Sequence, residues 1–75
     1  MKTLSLLRNE RIRRGWDLQE LGFYAQIPAQ HISVIERGLQ PCGPRRGQRI
    51  CKVLGMNYAE IFHPTGIARG IDETL

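Results

Sequence analysis

The side chains with the strongest intrinsic chemistry in this sequence are two cysteines, Cys42 and Cys51, and two histidines, His31 and His63. A structural zinc site draws its donors as pairs a few residues apart, and neither the cysteines nor the histidines pair in that way, so no metal is expected. Neither Cys–His combination is arranged as a nucleophile with its base. The carboxylates are scattered, and no glycine-rich loop is present to cradle a phosphate. No catalytic residues and no cofactor are expected, and the chain does not read as an enzyme. A different chemistry is available at Gln30, His31 and Ser33, which place an amide, an imidazole and a hydroxyl within four consecutive residues. The guanidinium groups of Arg37, Arg45 and Arg46 follow close behind. Hydrogen-bonding groups set beside cations suit the recognition of a patterned polyanion.

The charge distribution agrees. The 75 residues hold 11 Lys+Arg against 7 Asp+Glu, a net charge of +4. From Arg8 to Lys52 there are nine cations (Arg8, Arg11, Arg13, Arg14, Arg37, Arg45, Arg46, Arg49, Lys52) against Glu10, Asp17, Glu20 and Glu36. From Met56 onward Arg69 faces Glu60, Asp72 and Glu73. A basic body with a mildly acidic tail points to an anionic partner, nucleic acid first; a plainly solvated basic surface is the alternative. Two cysteines cannot form a disulfide scaffold, and no stretch approaches the roughly 20 apolar residues of a membrane span. The apolar cluster Leu4, Leu6 and Leu7 is cut off by Arg8, Asn9 and Glu10, so it is not a signal peptide. A soluble, cytoplasmic protein with reduced thiols is expected.

These groups need elements to hold them, and almost all the signals are helical. Thr3 or Ser5 can cap a first helix running to Arg14, with Leu4, Leu7, Arg11 and Ile12 near one face and Gly15 as its stop. Asp17 followed by Glu20 has the spacing of a capping box and opens a second helix, ending near Ala25. After a break at Gln26, Ile27 and Pro28, a third helix begins at Pro28 or Ala29 and closes at Gly38. The prolines and glycine of Leu39 to Pro44 form a loop, in which Cys42 is expected to be exposed. A fourth helix spans about Arg45 to Leu54 and stops at Gly55; Asn57 caps a short fifth one, Tyr58 to Phe62. Beyond it the only pattern is a thin apolar stripe, Ile67, Ile71 and Leu75. The fold class is therefore all-α, with five helices in residues 1–63 and a C-terminal tail, 64–75, that is either flexible or a dimer contact.

Two short helices joined by three residues must cross at a large angle, which leaves the second one protruding by its N-terminal end. Such a helix fits the major groove, about 12 Å wide. Here the sequence resembles the lambda-repressor-like (Cro and phage-repressor, Xre-type) helix-turn-helix DNA-binding domains. The resemblance is carried by Ile32-Ser33-Val34-Ile35-Glu36-Arg37-Gly38 with Gly15-Trp16-Asp17 upstream. It resumes as Gln48-Arg49-Ile50-Cys51-Lys52-Val53-Leu54-Gly55 and ends at Glu60-Ile61-Phe62, covering about three quarters of the chain. Against the family pattern, Leu18 stands where glutamine usually opens the second helix and grips a phosphate, Gly22 replaces alanine, Gln26 replaces a turn glycine, and Pro28 replaces a capping serine. A left-handed Gln26 costs of order 1 kcal/mol.

The resemblance implies that the third helix presents Ala29, Gln30, His31, Ser33 and Val34 to base edges. Gln30 is the best reader, because its amide can pair in two-pronged fashion with adenine N6/N7. Ala29 and Val34 can touch thymine methyls. Ser33 can donate to a base or phosphate. His31 is either a contact to a phosphate or base edge or an ordinary surface histidine. Phosphate contacts are expected from Gln19, Arg37, Arg45 and Arg46, with backbone donation at Gln40 and Gly43. Arg45 and Arg46 open a helix whose free N–H groups already favour anions. Arg11 and Glu36 are implied as an ion pair fixing the third helix. Arg13 and Arg14 are expected on a solvated face, and Cys51 is an inert core thiol. Trp16, Leu21, Ile32, Ile35, Ile50, Val53, Leu54, Ile61 and Phe62 are the expected core.

The expected function is that of a transcriptional regulator, a repressor that binds double-stranded DNA as a homodimer on an inverted repeat. Two rival roles are the antitoxin of a toxin–antitoxin pair, whose tail covers a protein partner, and a phage or restriction-modification controller.

Overall fold

The computed structural model describes residues 5–70. Five helices follow in order: α1 (Leu6–Arg13), α2 (Leu18–Ala25), α3 (Ala29–Glu36), α4 (Pro44–Leu54) and α5 (Tyr58–Ile61). Local chemistry sets their ends. The Ser5 hydroxyl accepts from the Arg8 amide at 3.1 Å, satisfying one of the free N–H groups of α1. At the start of α2, Asp17 Oδ1 accepts from the Glu20 amide at 2.7 Å and Glu20 Oε1 accepts from the Asp17 amide at 2.9 Å, closing the expected capping box. Pro44, whose ring already holds a helical φ, makes α4 begin one residue earlier than expected. Gly15, Gly38 and Gly55 end α1, α3 and α4 in the left-handed region.

α2 packs on α3 and on α4, and α4 packs on α5. Leu7, Leu21, Ile32, Ile35, Ile50, Ile61 and Phe62 are completely buried between them, while Trp16 and Val53 of the expected core are only half-buried at its rim. The α2–α3 approach is unusually close at Gly22, where a methyl group would collide with the Ile27 carbonyl oxygen. The Gly47 Cα likewise leaves room for the Tyr58 ring, which any side chain there would displace.

Beyond Leu7, the inward side of α1 is polar. Arg11 and Glu36 lie inside, whereas Ile12, grouped with Arg11 on the expected inner face, is 50% exposed. Glu10 is also buried, and it gathers both neighbouring arginines: Arg13 Nη1 at 3.0 Å and Arg14 Nη1 at 2.6 Å. Arg14 further donates from Nη2 to the Leu54 carbonyl at 2.8 Å. Arg14 is exposed as expected, but it also clamps the end of α1 to the C-terminal end of α4. A guanidinium there also meets the negative end of the helix dipole.

After α5 the chain turns back on itself. Phe62 pairs with Ala68 and Ser5 with Gly70 as isolated antiparallel bridges, and the Leu6 amide donates to the Arg69 carbonyl at 2.7 Å. Ala68 is buried. Ile67 therefore stands in an extended stretch, half-buried; Ile71 and Leu75 of the expected stripe lie outside the described residues. This return also seals Cys42. Its amide donates to the Gly66 carbonyl at 2.8 Å, and the Tyr58 hydroxyl donates to its carbonyl at 3.2 Å. Cys42 is only 2% exposed, so the expectation of an exposed thiol is corrected: the loop is tucked under Tyr58 and Gly66, both well beyond it in the chain.

Candidate nucleic-acid interface

α3 is built in two faces. Ile32, Ile35 and Glu36 are buried, and Gln30 is exposed near the N-terminal end, with Ala29, His31, Ser33 and Val34 half-buried around it. Pro28 is the N-cap and contributes no capping hydrogen bond. The first turn of the helix is closed by the Pro28 carbonyl, which accepts from the His31 and Ile32 amides at 3.0 and 3.1 Å, and the far end of α3 is held from α1. At that far end Arg11 Nε and Nη2 donate to Glu36 Oε2 and Oε1 at 2.6 and 3.2 Å, and Arg11 Nη1 donates to the Trp16 carbonyl at 2.8 Å.

Gln19 and Ala29 line one shallow groove with Gly22, Phe23 and Pro28, which puts an α2 side chain beside the start of α3. Gly43, Pro44, Arg45, Arg46 and Arg49 line a second groove at the N-terminal end of α4. Arg45 and Arg46 are exposed there, beside a helix end whose N-cap, Gly43, offers no side-chain bond to the free amides. Arg37 and Gln40 are exposed and line neither groove; Arg37 Nε points to the Ser33 carbonyl at 3.5 Å. The expected residues thus fall into an α3 row with Gln19 beside its start, a basic α4 cluster and the buried Arg11–Glu36 pair, while Arg37 and Gln40 stand apart from both grooves.

Among the described residues no three His, Cys, Asp or Glu side chains come together as a metal site. Burial pushes the Cys42 thiol up from 9.0 to about 11, against the lowering field of Arg46. Burial also raises Cys51 and the Tyr58 hydroxyl. These groups remain protonated at neutral pH, and their role is packing.

Three features were not read from the sequence. Arg49 Nε donates to the Ala25 carbonyl at 2.9 Å across 24 positions, and no local spacing announces such a partner. The bond from Arg14 to the Leu54 carbonyl is equally non-local, spanning 40 positions, while the Arg14–Glu10 pair has ordinary i,i+4 spacing. Phe23 is 79% exposed on α2, edge-on to Tyr24, which in turn leans on Trp16 with ring centroids 4.9 Å apart. Helical periodicity does locate Phe23, since it falls one turn after Gln19 and opposite the buried Leu21 and Ala25.

The sequence profile described as helix-turn-helix matches residues 7–61, from the first turn of α1 to the last residue of α5. The chain belongs to the lambda-repressor-like, Xre-type helix-turn-helix family. No curated protein and no solved structure matches it. This helix-turn-helix protein is a DNA-binding regulator, and α2 and α3 are its helix-turn-helix pair. The bridged return through residues 62–70 lies beyond the matched region. No helix among the described residues is long and apolar enough to cross a membrane.

Proposed function

We propose that this regulator is a repressor that binds an inverted-repeat operator as a homodimer. One observation supports it above all: α3 buries Ile32 and Ile35 and leaves Gln30 exposed at the end by which a recognition helix enters the major groove. In this reading Gln30 pairs with a base edge, an adenine by preference, and Ala29 and Val34 meet thymine methyls. His31 and Ser33 complete the row with a base or phosphate each. Arg45, Arg46, Arg37 and Gln19 grip the sugar-phosphate backbone, with the Gln40 and Gly43 amides donating alongside. Phosphate contacts set register and supply affinity without reading sequence.

A single domain making about five phosphate contacts binds weakly and loses affinity steeply as salt rises. Pairing two domains restores useful affinity and predicts half-sites about 34 Å, one helical turn, apart. The α4–α5 side and the C-terminal segment are the surfaces proposed for the dimer. Occupancy of such an operator over a promoter excludes polymerase and represses.

Selection from a pool of random duplexes at two salt concentrations, with sequencing of the retained DNA, tests the reading. An enriched inverted repeat with half-sites about 10 bp apart is the expected result. Retention that is salt-sensitive and blind to sequence would overturn it.

A further inference from the structure

Gln26 is the only non-glycine among the described residues with a positive φ, at φ 60 and ψ 45. It occupies the turn that aims α3. Left-handed backbone is strained for a residue with a Cβ, so something else must hold the turn in place. Its neighbours supply part of the answer, since the Ile27 amide donates to the Gly22 carbonyl at 2.9 Å. The rest comes from outside the motif. Arg49, on α4, donates from Nε to the Ala25 carbonyl at 2.9 Å and from Nη2 to the Gln26 carbonyl at 3.4 Å. The last carbonyls of a helix lack partners within it and carry the negative end of its dipole, so a forked cation is well matched to that end of α2. The same side chain lines the groove formed by Gly43, Pro44, Arg45 and Arg46, one helical turn further along α4.

We propose that Arg49 is the positioning residue of the recognition helix: it ties the α2–α3 turn to the helix that carries Arg45 and Arg46, and so sets where Gln30 stands relative to the phosphate grip. The proposal rests on the reading given under Proposed function. It separates two roles for one guanidinium. A phosphate contact adds affinity to every duplex alike; a positioning contact adds affinity only where the base readers must be in register.

The experiment compares the full chain with Arg49→Lys, Arg49→Gln and Arg49→Gln/Gln26→Gly. Binding to a selected duplex and to a scrambled one is measured over a range of salt, at a temperature where melting curves show each protein folded. Arg49→Lys keeps the charge and gives up the fork. Both single variants are expected to lose about tenfold in the ratio of specific to non-specific affinity, the scale of a hydrogen-bonding charge. Arg49→Lys keeps the wild-type salt slope and scrambled-duplex affinity. Gln26→Gly recovers part of the Arg49→Gln loss, because glycine takes the left-handed turn without strain. Arg49→Lys behaving as wild type overturns the proposal, as does Arg49→Gln weakening both duplexes equally with a salt slope lower by about one, the mark of a lost phosphate contact. If the unaltered chain itself fails to discriminate the duplexes, the repressor reading falls first and Arg49 with it.

Discussion

Arg11 and Glu36 stand 25 positions apart and meet in a two-pronged pair, Nε to Oε2 at 2.6 Å and Nη2 to Oε1 at 3.2 Å, with side chains only 10% and 4% exposed. A pair this deep does little for stability relative to apolar packing, but breaking it strands a charge. Glu36→Ala or Arg11→Ala is therefore expected to cost about 3–5 kcal/mol by urea unfolding, a large share of a small domain's total. The double change Arg11→Met/Glu36→Leu is expected to cost less than either single one. Single variants as stable as the parent would mean that water reaches the pair.

Gly22 gives a prediction that runs against helix propensity. Alanine favours a helix interior by about 1 kcal/mol over glycine. A methyl at this place meets the Ile27 carbonyl, which belongs to the turn and cannot swing aside as a side chain would. Gly22→Ala is expected to lower stability by a net 1–3 kcal/mol or so, read as a lower melting temperature. A higher one would show that the α2–α3 crossing has slack.

For Cys42, burial raises the thiol from 9.0 to about 11. A raised acid leaves stability level below the unfolded value, because both states keep the proton there. Stability then falls between pH 9 and 11, as the unfolded chain ionises first. Urea titrations across that window are expected to show the decline, and Cys42→Ser or Cys42→Ala to make it shallower, the buried Cys51 and Tyr58 keeping the rest. Alkylation of Cys42 at pH 8 should likewise be far slower in the folded protein than in urea. Fast labelling of the folded chain would place the thiol outside the seal made by Gly66 and Tyr58.

Arg45 and Arg46 are expected to act through charge alone. Arg45→Ala should weaken binding to all duplexes to a similar degree and reduce the slope of log affinity against log salt by about one. Loss confined to one operator sequence would instead make Arg45 a base reader.

The helix ends were legible because their chemistry is local: Asp17 with Glu20, Gly15, Gly38 and Gly55 act within a turn of where they stand. The left-handed Gln26 was legible through the resemblance, because it stands where the family usually has a turn glycine. What the sequence concealed was set by distant partners. Cys42 looked like a loop residue because Pro41, Gly43 and Pro44 surround it, and it is buried because Gly66 and Tyr58 fold over it. Ile12 looked like an inner residue, yet the inner side of α1 is taken by the Glu10 and Arg11 networks. Arg14 read as a solvated charge and Arg49 only as one of the cations of the basic body, and each ends on a backbone carbonyl of another helix.

The central claim is that Gln30 reads a base from the exposed end of α3. Its most direct test is the affinity of wild type and Gln30→Ala for a selected operator and for duplexes carrying each single-base change within it. The expected result is that wild type loses about 1–3 kcal/mol at one position of each half-site, and that Gln30→Ala is indifferent to the base there while discriminating normally elsewhere. If Gln30→Ala discriminates at every position as wild type does, α3 does not read DNA through Gln30, and the account of this interface is wrong.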